Sequence, residues 1–270
     1  MAQEEITLEI DDDIAMIGIN RPEKRNALHS AMFVKIGEAL ETAGLEAKAA
    51  VIYGVGDHFS AGLDLAQIRD SIAKDPARRL QIGPNPAHVA FDRIQRGRIP
   101  VVAALTGAVI GAGLEVAASA HIRVADDTAF FGLPEAQRGI FVGAGGSVRI
   151  QRLIGTARMT DMMLTGRILS ADEAVAQNLV QYVVDSGRAL HEAVELARKI
   201  ASNTPESNWA ITQGLSRIND LTYDDGLFFE TLVARSAVSA SSHERLTDFV
   251  EKRSAPLARP AAGTRSEGKR

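Results

Sequence analysis

The stretch IPVVAALTGAVIGAGLEVAASA, Ile99 to Ala120, constrains the fold more than any other part of the chain. It has the length of a membrane-spanning helix. Yet glycines at 107, 111 and 113 interrupt it, and Glu115 sits among Ala, Gly, Leu and Val where burial is expected. An ionised carboxylate buried without a partner is costly and tends to shift its pKa instead. Two or three packed elements fit this punctuation better than a membrane span. VVAALTG then reads as a buried strand, the glycine-rich segment as a corner, and HIRVAD as a further strand.

The rest of the amino-terminal half repeats the theme. ITLEIDDDIAMIGIN holds two short β-type runs, Ile6 to Ile10 and Ile14 to Ile19, around an acidic turn, and predicts a hairpin. Met32, Ile36, Ala39 and Leu40 have helical spacing, AAVIYGVG is a buried strand, and LDLAQIRDSIA and VAFDRIQRG can be helices. Lys74 to His88, with three prolines, reads as a surface excursion. Ala50–Val55, Val101–Leu105 and Ile122–Ala125 are expected to stack in parallel. The repetition keeps no fixed period, so it does not by itself demonstrate a solenoid.

From Gln151 onward the pattern turns helical, with Ser170 before Asp172 and Glu173 as a helix start. The segment 254–270, rich in Pro, Ala, Gly and basic residues, reads as a disordered tail. The fold class expected is α/β, with a helical carboxy-terminal part.

Composition narrows the function classes. With 270 residues, 46% hydrophobic and 24% charged, the chain can bury a sizeable core. A net charge of −4 carries no nucleic-acid footprint. The absence of cysteine excludes disulfides, thiolate metal sites and a cysteine nucleophile. The acidic amino terminus has no apolar run of signal-peptide type, so the expected location is cytoplasmic.

Two segments share one logic. HFSAGLDL and VIGAGLEV each follow a buried strand, contain Ala-Gly-Leu-acid and open a helix. Such corners leave backbone N–H groups free at a helix amino end, and two of them can converge on one oxygen. Amides fixed at a developing oxyanion are a strong source of catalysis in acyl and enolate chemistry. Glu135, in FFGLPEAQRGIFVGAGG, supplies a second acid in an apolar setting. Two poorly solvated carboxyls can hold different protonation states, one as base and one as acid. Ion pairing with Arg138, Arg149 or Arg152 is the structural alternative.

NRPEKRNAL (Asn20–Leu28), HFSAGLDL (His58–Leu65), IPVVAALTGAVIGAGLEVAASAHIRVA, FGLPEAQRGIFVGAGGSVRIQRLIG and LTGRILSADEAVAQNLV (Leu164–Val180) occur in this order. Together they resemble the crotonase superfamily, the enoyl-CoA hydratase/isomerase family, along nearly the whole chain. The resemblance implies a spiral of repeated ββα units over residues 1–200 and a helical trimerisation region over 201–253. It further implies an acyl-CoA thioester substrate, with coenzyme A part of the substrate, no separate cofactor and no metal. A homotrimer or dimer of trimers is implied as the assembly, with neither nucleic acid nor membrane as partner.

The amides of Leu63 and Ala112 would bind the thioester oxygen, Ala112 standing where glycine is more usual. Arg25, Ala27, Ala61, Asp64, Leu65 and Ala66 would line the coenzyme A site. Hydratases of the family have glutamates at the positions of Glu115 and Glu135, and both are present. Dienoyl isomerases carry an aspartate where this chain has Gly143. The reading is a hydratase of trans-2-enoyl-CoA in which Glu115 activates water and Glu135 delivers a proton. Its rivals are an isomerase, hydrolase or retro-aldol lyase on a CoA ester, or a low-turnover acyl-CoA-binding protein.

Other residues read as structural. Asp64 suits a helix amino end through the macrodipole, a role placed ahead of substrate contact. Arg25 divides evenly between surface charge and a phosphate contact. His58 reads as loop structure and His29 as a helix start. Gly143 to Gly146 lacks the Lys-Ser/Thr of a phosphate loop and reads as a turn feeding a helix. No G-x-S-x-G nucleophile elbow occurs.

Overall fold

The two runs around the acidic turn pair as the expected hairpin, β1 (Ile6–Asp11) antiparallel to β2 (Ile14–Ile19). This is a computed structural model of the chain, and it describes residues 4–74 and 85–253. Most of the proline-rich excursion and all of the 254–270 tail lie outside the described residues. Helix α1 (Ser30–Glu46) buries Met32, Ile36, Ala39 and Leu40, the four positions its spacing singled out.

Beyond β2 the sheet is parallel: β3 (Ala49–Gly54), β4 (Val101–Leu105), β6 (Ile122–Asp126) and β9 (Tyr182–Val184) follow in that spatial order. The three strand runs expected to stack in parallel therefore do so. Their residues are buried on both faces, which is why they read as unbroken apolar runs. One face carries Ala15, Ile17, Ile52 and Ala103 into the main core with α1 and α3 (Pro86–Arg96). The other carries Val51, Val102, Ala104 and Val124 against α8 (Ala189–Ala201). Ala189, Ala193 and Ala197 on that helix are small enough to let it approach the sheet closely.

A second sheet among the described residues was not expected. It consists of β5 (Ala108–Ile110), β7 (Phe130–Gly132) and β8 (Ile168–Ser170), in that order. Strand β5 turns into α4 (Ala112–Ser119), so the long apolar stretch becomes strand, strand and helix. Helix α2 (Leu65–Lys74) follows the first corner, and α5 (Gly146–Ile154) follows the glycine turn. Helices α6 (Thr156–Thr165) and α7 (Ala171–Ala176) come next. Ser170 caps α7 in a reciprocal capping box with Glu173, as its position before two acids suggested.

The chain ends in α9 (Pro205–Ile218), α10 (Tyr223–Ser236) and α11 (Ala240–Val250). Trp209, Ile211, Leu215, Leu227, Phe228 and Leu232 on α9 and α10 are exposed. Among the described residues, no helix is long and apolar enough to cross a membrane.

Candidate active site

The two glycine corners are laced together by backbone bonds. Ser60 N–H donates to the Ala108 carbonyl at 2.9 Å, and Ile110 N–H donates to the Ser60 carbonyl at 3.0 Å. On its other side the first corner pairs with Leu28, whose N–H donates to the Gly62 carbonyl at 2.7 Å. The Leu28 carbonyl in turn accepts from Asp64 N–H at 2.8 Å. In a parallel bridge the residue between those two bonds turns its own N–H away from the partner. The Leu63 N–H is thus left without an acceptor among the described residues.

Gly111, at φ +54, turns the chain from β5 into α4 and makes Ala112 the first helical residue. The Ala112 N–H is one of the orphan donors of a helix amino end. Gly62, at φ +92, leaves no room for a side chain. A Cβ there would lie 2.7 Å from the Ile110 carbonyl oxygen and 3.6 Å from the Ala112 nitrogen. The two expected amides therefore sit at adjoining corners, able to polarise a carbonyl oxygen placed between them.

Glu115 lies in the first turn of α4 and is 2% exposed. Its Oε1 accepts from Gly146 N–H at 2.7 Å and from Ala144 N–H at 2.9 Å. Burial pushes this carboxyl above its ordinary range, while the amides of Gly146, Ala144 and Gly143 and the charge of His88 pull it back. A Cβ on Gly146 would meet the Glu115 Cγ at 2.6 Å, so the seat requires glycine. The glycine turn does feed a helix, as expected, and it also clamps the acid.

Glu135 is buried and differently held. Its Oε2 has no hydrogen-bond partner, and its Oε1 would lie 2.9 Å from a Cβ on Gly111, against the second corner. Burial raises its pKa to about 7; its own backbone amide opposes the shift and the Glu115 charge adds to it. Among the described residues neither glutamate enters an ion pair. Arg149 and Arg152 pair instead with Asp92 and Asp220. The alternative of two structural ion pairs falls away.

The expected coenzyme A residues gather on one rim. The exposed Arg25, at φ +49, accepts from Ala61 N–H at 2.8 Å through its carbonyl, while Ala27 follows in the same turn. Asp64 stands before α2, where its carboxylate accepts from Gln67 N–H at 3.4 Å. Leu65 and Ala66 open that helix and are exposed. The Asp64 carboxylate is already engaged by Arg21 at 3.2 Å and Lys24 at 3.6 Å. Although burial pushes that carboxyl up, the Arg21 and Gln67 bonds and the Lys24 charge hold it below its usual range. Asp64 thus stands at the amino end of α2, the position its sequence setting suited, and is held there by two cations as well. His58 accepts from Ala108 N–H at 3.1 Å and His29 pairs with Glu5, both structural as read.

Sequence reasoning missed the scaffold behind this rim. Asn26 Nδ2 donates to the carbonyls of Val55 and His58, and its Oδ1 accepts from Arg21 N–H. Ser60 Oγ donates to the Asn26 carbonyl and accepts from Gly62 N–H, fixing the residue before Leu63. A sequence signal existed only for Asn26, a residue type that tolerates its observed φ of +57.

Two adjoining glycine corners with free amides and two buried carboxyls thus share one region of the α/β fold. A family model described as enoyl-CoA hydratase/isomerase matches residues 9–259. The chain is 33% identical to the short-chain-enoyl-CoA hydratase of Clostridium acetobutylicum, over 92% of this chain and 95% of that protein. It is also 33% identical to the 2,3-dehydroadipyl-CoA hydratase of Escherichia coli, over 89% and 93%. A solved structure from Rhodopseudomonas palustris is 44% identical, covers 92% of this chain and 95% of that one, and superposes with a TM-score of 0.84. The chain belongs to the enoyl-CoA hydratase/isomerase family and has its crotonase fold.

Proposed function

We propose that this enzyme adds water across the 2,3-double bond of a trans-2-enoyl-CoA. The observation that carries the reading is the pair of buried glutamates set beside the adjoining Leu63 and Ala112 amides. The thioester oxygen accepts from both amides, which stabilise the enolate charge as it develops. Glu115 takes a proton from water as the water oxygen bonds to C3. The π electrons move onto the thioester as an enolate, and protonated Glu135 then delivers its proton to C2. Exchange of protons with solvent restores both carboxyls.

Coenzyme A enters as part of the substrate, held along the rim of Arg25, Ala27, Ala61, Asp64, Leu65 and Ala66, with no metal and no further cofactor. Relatives named as hydratases of a short-chain and of a dehydroadipyl thioester support this chemistry. The test is hydration of crotonyl-CoA, followed by loss of enoyl-thioester absorbance. Glu115→Gln is expected to lower kcat by about 10²- to 10⁴-fold, the usual worth of a positioned acid or base. Near wild-type turnover would overturn the assignment, and binding of acyl-CoA without any turnover would favour the low-turnover reading.

Residues 201–253 serve in this reading as the assembling region of a homotrimer or dimer of trimers. The exposed apolar side chains of α9 and α10 support it, since such surface is normally covered. Sedimentation as a monomer would contradict it. A cytoplasmic location accords with a chain that contains no cysteine.

A further inference from the structure

The peptide group that joins Gly143 to Ala144 is gripped from both sides. Its N–H donates to Glu115 Oε1 at 2.9 Å, and its carbonyl accepts from Asn85 Nδ2 at 2.7 Å. A trans peptide is planar, so its N–H and C=O point in opposite directions and turn together. A hold on the carbonyl is therefore a hold on the donor that faces the acid. Among the described residues, Asn85 is the partner of that carbonyl. The local chain restrains the plane little. A Cβ on Gly143 would meet only the Phe141 carbonyl oxygen, at 4.0 Å, and glycine leaves the adjoining torsion free to vary.

Asn85 itself is well fixed. It caps α3, where its Oδ1 accepts from Ala87 N–H at 2.9 Å. A side-chain amide has one accepting and one donating end. Here the first holds a helix and the second holds the clamp on Glu115. Helix α3 is anchored in turn: Phe91 and Ile94 are buried, and Phe91 meets Phe33 of α1 edge-on with ring centroids 5.4 Å apart. The last turn of α3 makes a second tie to the same unit. Gln95 Oε1 accepts from Arg149 Nε at 2.8 Å, and Arg149 Nη1 reaches the Ala144 carbonyl at 3.4 Å. Asn85 belongs to the 74–88 excursion, outside the five motifs that carry the family resemblance.

We propose that Asn85 is a positioning residue for Glu115, which aims the Ala144 N–H at the carboxylate by holding the Gly143 carbonyl. The proposal rests on the hydration reading above, in which Glu115 is the base that receives a proton from water. A donor fixed at a carboxylate favours its charged form, and the outer hydrogen bond polarises the inner one. Gly143 is exposed, so solvent can hydrate its carbonyl in a variant, but solvent cannot set its direction. The charged groups that act with Glu115 are His88 from α3, Arg149 from α5 and Glu135 from the segment after β7. A change at position 85 leaves all three in place.

Asn85→Ser and Asn85→Asp separate this role from helix capping. Both residues cap helices well, yet serine is too short to reach Gly143 and an ionised aspartate has no donor. On crotonyl-CoA each variant is expected to lower kcat about tenfold and to leave KM within about twofold. The acid limb of kcat/KM, which reports ionisation of the base, should move up by about one pH unit. Carbon NMR of protein labelled at the glutamate carboxyls reads the same titration without turnover, the Glu115 signal being the one lost in Glu115→Gln. It should move up likewise. Unchanged kcat in both variants overturns the proposal. So does a lowered kcat with the acid limb and the carbon titration both unmoved, which leaves Asn85 a helix cap alone. If the wild type hydrates no enoyl-CoA, the hydration reading fails and the carbon titration decides. An upward move in both variants then upholds Asn85 as the residue that aims the clamp, and an unmoved titration sinks it.

Discussion

Glu115 and Glu135 are both buried glutamates of one site, yet their surroundings are opposites. One oxygen of Glu115 is gripped by two backbone amides, donors that favour an ionised carboxylate. Glu135 has an oxygen with no donor at all and a pKa of about 7. Burial acts on both in the same direction. What separates them is how many N–H groups reach the carboxyl, those of Gly146, Ala144 and Gly143 at Glu115 against its own amide alone at Glu135. The backbone can thus set two buried carboxyls apart.

The largest test of that comparison is to remove both carboxyls. Glu135→Gln is expected to cost kcat about 10²- to 10⁴-fold, as for Glu115→Gln. The double variant should lose far less than the product of the two single losses, because the groups act as a unit. Multiplying losses, measured on crotonyl-CoA, would mean that the carboxyls work independently.

A finer test perturbs each seat while keeping each acid. Gly146→Ala drives a Cβ into Glu115, and Gly111→Ala drives one towards Glu135 at a backbone position of φ +54. Each should lower kcat by about 10- to 100-fold, the cost of an ångström-scale misplacement. Only the second should also disturb the pH profile above neutrality.

That profile is the third test. A proton donor with a pKa of about 7 loses its proton as pH rises, so kcat/KM should fall through about pH 7. Glu135→Gln should abolish this limb within its residual activity.

The smallest effect concerns stability. The folded pKa of Glu135 lies above its unfolded value, so stability is full below the unfolded pKa and is lost as pH rises through about 7. At pH 8 Glu135→Gln should therefore gain about 1–2 kcal/mol in urea melts, after allowance for solvent near the carboxyl. A loss of stability at that pH would show that the carboxyl is better satisfied than its orphan oxygen suggests.

Much of the fold was legible because it rests on local pattern. The hairpin announced itself by alternation, the parallel strands by apolar runs such as AAVI and VVAAL, and α7 by Ser170 and its following acids. The strands β5, β7 and β8 were not legible, since three residues are too few to display a period. In the site, Glu115 stood out because a charge in apolar company is expensive. Its clamp did not, because Ala144 and Gly146 act through N–H groups that every residue except proline possesses. The network of Arg21, Asn26 and Ser60 joins residues 34 positions apart through side-chain-to-backbone bonds, which leave no periodic trace.

The free amides at Leu63 and Ala112 carry a consequence for how this enzyme can vary. An active hydrogen that belongs to the main chain survives almost any exchange of the side chain beside it. Alanine at 112 keeps its donor as glycine would, provided the helix begins at the same place. Leu63→Ala would therefore pass over a donor to which the proposed mechanism assigns the thioester oxygen, and position 112 is alanine already. Replacing either peptide bond by an ester, through semisynthesis with a hydroxy acid, deletes the hydrogen itself and leaves the side chain untouched.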